Sequence, residues 1–172
     1  MTNAALWLGA SIFGTFVALP TFFTPEMKAL IPAPYNGFAA QMMLHRYLSL
    51  HYACAIIAIL HLVGEFVYLG RRAERRIVAT LAVIVVLGVL EGAWIEPRLK
   101  SLFAAKYNTR SSPAERQEAG RLFGPLHGLS QVANLIVIIG VGFYFWEINI
   151  RPTVPNRPKG SPLRAGNFQH RV

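Results

Sequence analysis

The sequence contains no aspartate; all eight of its acidic residues are glutamate. Aspartate is a preferred helix cap and recurs in magnesium and phosphoryl-transfer sites, so those soluble-enzyme readings start without their usual residue. A single cysteine, Cys54, excludes an internal disulfide and an all-cysteine metal cage. Charge is scarce as well. Only 15% of the 172 residues are charged and 53% are apolar, whereas soluble domains run nearer 25% charged. The mean hydropathy of +0.39 points the same way. Seventeen Lys and Arg against eight Glu give a net charge of +9, an excess that suits nucleic acid or an anionic membrane surface. The distribution of that charge selects the membrane.

Four apolar stretches are long enough to cross a hydrocarbon core, which takes roughly 20 helical residues. They run over residues 4–23, 47–69, 77–95 and 126–150. Backbone groups in lipid must be satisfied internally, so the spans are expected to be helices despite β-branched runs such as Ile136–Ile139. The expected fold is an all-α membrane four-helix bundle. The first stretch lacks a basic leading region and a small-x-small cleavage site, so it reads as a retained span rather than a signal peptide. Pro20 should kink or stop it.

The links differ sharply from the spans. Residues 70–76 hold four arginines, Arg71, Arg72, Arg75 and Arg76, in a tight turn. Residues 151–172 hold five Lys/Arg and four Pro and read as an extended basic tail. Both suit anionic lipid headgroups. With one aromatic residue, Phe168, the tail lacks a base-stacking platform, so no nucleic-acid partner is expected. Basic density beside the helix ends favours both termini on the cytoplasmic side. In the link between spans three and four, Leu99, Leu102, Phe103 and Ala104 interleave with Lys100 and Lys106, as in a helix lying on the membrane surface. Ser112-Pro113-Ala114-Glu115 then forms a capping box for a second short helix ending near Gly124-Pro125.

Ionisable residues inside spans are functional candidates by default. On span two, His51, Cys54, Ala58, His61 and Glu65 fall within an arc of about 80°. On span four, His127, Ser130, Gln131 and Asn134 share a face. On span three, Glu91 stands between Gly88 and Gly92, a GxxxG pattern that admits a neighbouring backbone. Glu96, Arg98, His51 and His127 should gather near one boundary, with Glu91 and Asn134 one or two turns deeper. His51, His61, Glu65 and Glu91 are thus a candidate ligand or proton site. Equally, the polar groups can be interhelical hydrogen bonds that fix register, worth about 0.6 kcal/mol each. No spacing is diagnostic of a metal, and no cofactor is required; a metal, or a haem between His51 and His127, stays open. Trp7, Trp94, Trp146, Tyr47, Tyr68 and Tyr144 read as an aromatic belt.

Two segments resemble a known family. Trp94-Ile95-Glu96-Pro97-Arg98 closes span three, and Phe123-Gly-Pro-Leu-His127-Gly128-Leu129-Ser130-x-x-x-Asn134-Leu135 opens span four. Together with Trp7-x-Gly9 and Phe13–Val17 they are similar to the transmembrane protein 205-like family, in bacteria a domain of unknown function with four membrane helices. The resemblance covers roughly residues 5–148. For vertebrate members it implies handling of platinum compounds through cysteines, of which this sequence has only Cys54; for bacterial members it implies no established activity. Glu96, Arg98, His127, Ser130 and Asn134 match its motifs, and Glu96 or Arg98 is expected to bond His127.

No nucleophile–base constellation is present and no link is long enough for a soluble domain. The leading expectation is therefore a non-catalytic accessory or structural subunit, with other membrane proteins as partners, in a bacterial cytoplasmic membrane. The alternative is a bundle that binds or transports a small solute, a metal or protons, and it requires a cavity that reaches Glu91 from one side.

Overall fold

The computed structural model describes residues 2–70, 72 and 74–150, with Ile150 as backbone only. The tail and Arg71 lie outside the described residues. The chain is an all-α bundle with four helices long and apolar enough to cross a membrane: Thr2–Thr21, Tyr35–Leu69, Arg75–Tyr107 and Pro113–Asn149.

The first span is α1 (Thr2–Phe13), a π-helical turn (Gly14–Ala18) and the short α2 (Leu19–Thr21). A single-turn helix follows, α3 (Pro25–Leu30), capped by the Thr24 side chain, which accepts from the Met27 N–H. The second span, α4 (Tyr35–Leu69), ends at Gly70, whose φ of 61° is the left-handed C-cap that a glycine adopts without strain. The third span joins α5 (Arg75–Leu90), a second π turn (Glu91–Ile95) and α6 (Glu96–Tyr107). The fourth is α7 (Pro113–Ile150).

Both π turns end two residues before a proline, Pro20 and Pro97. A proline inside a helix lacks an N–H and its ring clashes with the carbonyl four residues back. A π turn bonds i to i+5 and widens the helix locally, so it absorbs that clash. Leu19 N–H bonds Gly14 O and Glu96 N–H bonds Glu91 O, each five residues back. Pro20 therefore neither stops the helix at once nor breaks it; the chain leaves the helix only after Thr21.

The link between spans three and four differs from the surface-lying helix expected of it. α6 continues the third span past Pro97 and packs back along the first half of α7, burying Leu99 and Phe103. The Ser112–Glu115 capping box forms: Glu115 N–H donates to Ser112 Oγ at 3.2 Å, and Ser112 N–H to Glu115 Oε2 at 2.8 Å. The helix it starts does not end at Pro125 but runs on to Ile150. Apolar pairing of α6 with α7 outweighs the lone proline, whose orphaned carbonyl lies near the water-facing end of the helix. At 35 and 38 residues, α4 and α7 are longer than a hydrocarbon core of about 30 Å requires.

The packed core lies toward the arginine turn. Ala4, Trp7, Cys54, Ala55, Ala58, Ile77, Leu81, Ile84, Val137, Val141 and Tyr144 form one buried cluster. With lipid on the outside, helix association depends on close packing and not on the hydrophobic effect, and small residues set the spacing. A Cβ added at Gly140 would meet Ile84 Cγ1 at 3.0 Å, and one at Gly88 would meet His51 Nε2 at 2.7 Å. At Gly88 and Gly92 a neighbouring backbone does not take the place of the missing side chains, as the GxxxG pattern suggests it should; the Tyr52 and His51 side chains of α4 fill that space instead. Trp7, Tyr47 and Tyr144 are not belt residues: all three are buried, because α1 presents Trp7 inward to α4 and α7. Trp146 and Tyr68 do face outward.

Candidate functional site

Beyond the packed core the same helices part. A cavity of about 570 Å³ opens between the first span, the first half of α4, α6 and the first half of α7. Its wall is mixed. Thr15, Tyr47, His51, Glu91, Ser130 and Asn134 form the end nearest the core, and Phe23, Phe103, Tyr107 and Phe123 stand toward the other, with Lys100 and Lys106. Glu91 and Phe103 are twelve residues apart along the third span, about 18 Å at the α-helical rise.

The two π turns supply its inner end. Thr15 belongs to the first and Glu91 opens the second. π turns re-aim side chains that a regular helix would place elsewhere, and they recur at functional sites. Glu91 is buried, with 8% of its surface exposed. Ser130 Oγ donates to its Oε1 at 2.5 Å, while Oε2 has no hydrogen-bond partner among the described residues. A buried carboxylate oxygen without a partner is costly; Oε2 is covered by its surroundings in this conformation, and His51 Nε2 in the same wall is likewise buried and unpartnered among the described residues.

Its neighbours are committed. Asn134 Nδ2 donates to Thr15 Oγ1 at 2.8 Å, and its Oδ1 accepts from the Tyr47 hydroxyl at 3.2 Å. These bonds tie α7 to the first span and to α4. His51 Nδ1 accepts from the Trp7 indole N–H at 3.0 Å, and its Nε2 is turned to the Ile84–Gly88 backbone of α5. Only Nδ1 is hydrogen-bonded; Nε2 is buried and has no hydrogen-bond partner among the described residues. His127 stacks flat on Phe123, ring centroids 5.5 Å apart.

The motif residues therefore meet at one end of the bundle, but not in the expected pairs. Glu96 bonds neither His127 nor is it bridged by Arg98. It pairs with Lys100 one turn on and with His45 Nδ1 at 3.4 Å. Arg98 lies over the Trp94 ring at 4.6 Å. The i, i+4 reach of Lys100 from Glu96 on one helix explains the preference.

His61 and Glu65 leave the candidate site altogether. They pair with each other at 3.6 Å on the outer surface of α4. The stripe predicted along span two is buried at His51, Cys54 and Ala58 and exposed by His61. The first span explains this: Asn3 Nδ2 donates to Cys54 O at 2.9 Å, so α1 begins level with the middle of α4 and leaves the end of α4 uncovered. No three His, Cys or Glu side chains converge on one point among the described residues, so a protein-built divalent cage is absent there. Thr15, Tyr47 and Lys106 were not singled out as site residues from the sequence. The signals for Thr15 and Tyr47 were a threonine inside a Gly-Thr-Phe run and a tyrosine that reads as part of the belt, and Lys106 reads as part of a surface-lying helix.

Against known families, residues 3–108 match the model of a domain of unknown function, DUF4149, over more than half of the chain. The chain belongs to this family. The match takes in the first three spans and both π turns, whereas the DUF4149 model does not reach α7, which carries Ser130 and Asn134. No curated protein and no solved structure matches the chain.

Proposed function

We propose that this DUF4149 protein is a non-catalytic carrier that binds a small solute inside the membrane, with Glu91 at the centre of the site. The observation that carries the reading is the 570 Å³ cavity ending on Glu91, a buried carboxylate with one oxygen unsatisfied. A subunit whose polar residues served only to fix register would close them on one another, as Tyr47, Asn134 and Thr15 do. Glu91 Oε2 departs from that pattern, as does His51 Nε2 in the same wall.

A site near the middle of a bundle, open on one side and sealed by packed side chains on the other, is the geometry of an alternating-access carrier in one of its states. The seal is the Trp7, Cys54, Ile84 and Val141 cluster. In this reading the arginine turn and both termini face the cytoplasm of a bacterial cell, the cavity opens to the other side, and the chain is a bacterial member of the transmembrane protein 205-like group. The accessory-subunit role is kept only as a context in which such a carrier could work.

The test is accessibility. In membrane vesicles of known orientation, native Cys54 and a Ser130→Cys variant on a Cys54→Ala background are treated with small membrane-impermeant methanethiosulfonates. The expected result is modification of the Ser130→Cys thiol from one side only, with Cys54 unreactive from both. If the Ser130→Cys thiol resists reagents from either side in folded protein, the carrier reading fails.

A further inference from the structure

The inner end of the cavity has a definite chemical sign. Glu91 has one carboxylate oxygen, Oε2, without a hydrogen-bond partner and covered in this conformation, so a ligand reaches it by a turn of the side chain; no basic side chain is paired with it among the described residues. Both lysines of the cavity stand on α6, nine and fifteen residues further along the rod, or about 13 and 22 Å. Lys100 is already engaged by Glu96, and Lys106 lies over the Tyr107 ring at 5.4 Å. At the inner end the other polar groups are the hydroxyls of Ser130, Thr15 and Tyr47, Asn134 Oδ1, and the neutral His51 ring, whose Nδ1 accepts from Trp7 and whose Nε2–H is its one donor.

We infer that the solute is an organic ammonium ion, whose charged nitrogen sits at Glu91 Oε2 and whose apolar body lies along the Phe103–Phe123 wall. An ammonium group offers three donors and no acceptor. Glu91 Oε2 takes one; Ser130 and Asn134, one turn apart on α7 with Cβ atoms about 5–6 Å from each other, can take the others through their remaining lone pairs. A divalent metal would require a fuller cage than one carboxylate, and the described residues hold no such group of ligands. An anion would meet the unpaired carboxylate with nothing to offset it. Phe23, Phe103, Tyr107 and Phe123 present ring faces and edges that suit an apolar cation on its way in.

This inference rests on the carrier reading, and the experiment separates the two. On the Ser130→Cys, Cys54→Ala protein, the reaction rates of a cationic and an anionic methanethiosulfonate are each divided by their rates with a free thiol. The expected preference for the cation is about tenfold or more, the size of one charge-assisted hydrogen bond, and Glu91→Gln should abolish it. Should Glu91→Gln fail to fold, protection is measured with Glu91 intact. 2-Phenylethylamine should block the thiol at about tenfold lower concentration than its uncharged counterpart 2-phenylethanol. Access without charge preference, or equal protection by the alcohol, overturns the inference and leaves the carrier reading standing. Loss of access to both reagents overturns the carrier reading itself.

Discussion

The two halves of this bundle are made from the same four spans, yet one is packed and the other hollow. Toward the arginine turn the facing residues are Ala4, Ala55, Ala58, Ile84, Val137 and Val141. Toward α6 the corresponding positions carry Thr15, Tyr47, Glu91, Ser130 and Asn134. The first set is small or branched and lets helices close on one another; the second is polar and must reach partners across the gap. In a bilayer nothing squeezes apolar helices together except packing itself, so where side chains do not interdigitate a cavity persists. The π turns lie where the two regimes meet, and they swing Thr15 and Glu91 into the gap. On the carrier reading, the solute site lies in the half that packs less well and the other half holds the frame.

The largest test of that division is Trp7→Ala. The indole is almost fully buried at 1% exposure, donates to His51 and stands edge-on to Tyr144 with centroids 6.3 Å apart. Emptying a volume of this size should cost about 3–5 kcal/mol, read as a lowered thermal midpoint in detergent. It also frees His51 Nδ1 beside the cavity. If the midpoint hardly moves, the packed half is not the frame.

Glycines give a finer probe of the same contrast. A Cβ at Gly88 would press on His51 Nε2 at 2.7 Å, whereas one at Gly128 meets nothing within 4 Å. Gly88→Ala should therefore destabilise by about 1–3 kcal/mol through overpacking. Gly128→Ala, in the exposed first half of α7, should be neutral or raise stability by up to about 1 kcal/mol, the helix-propensity difference. Equal effects at both positions would mean that the α4–α5 contact is looser than the geometry indicates.

How much of this was legible in the sequence follows the range of the physics. Local signals came through well. Ser112 and Glu115 form the capping box that their spacing implies, and Gly88 and Gly92 mark a contact with α4, although side chains and not its backbone fill it. Hydropathy located all four spans. Periodicity placed His51, Glu91, Ser130 and Asn134 on inward faces. What failed depended on the longitudinal register between helices, which no single-helix pattern contains. The stripe on α4 was continued to His61 and Glu65 because its arc is continuous, although the first span stops covering α4 near Cys54. The motif residues and their shared depth point to Glu96 or Arg98 as the partner of His127, but Lys100 on the same helix reaches Glu96 first and Arg98 lies over Trp94. The π turns were invisible too, since the prolines that accompany them read as helix stops.

A smaller effect concerns the start of α7, which holds α6 against it. Ser112→Ala removes the acceptor for the Glu115 N–H and half of the capping box. The expected cost is about 1 kcal/mol, confined to the water-facing end. Because α6 and α7 together wall the cavity, the change should appear first as faster amide exchange across residues 113–120 and less as a shift in the global midpoint. A loss as large as that of Trp7→Ala would show that the hollow half, and not the packed one, limits stability.

The smallest expected effect carries the sharpest comparison of residue with residue. His61 and Glu65 have the same chemistry as His51 and Glu91, sit on the same kind of apolar helix, and form an i, i+4 pair. Their side chains are 65% and 37% exposed, so neither is held in a site that orients it. An exposed pair of this kind contributes about 0.3–0.5 kcal/mol at most. His61→Gln should leave the thermal midpoint within that range and should not alter reagent access at the Ser130→Cys thiol. Glu91→Gln should change the charge preference of that access without help from His61. If His61→Gln shifted the preference as Glu91→Gln does, charge would be passing along the whole of α4, and the boundary between the packed and hollow halves would not be the seal that the Trp7, Cys54 and Ile84 cluster makes it.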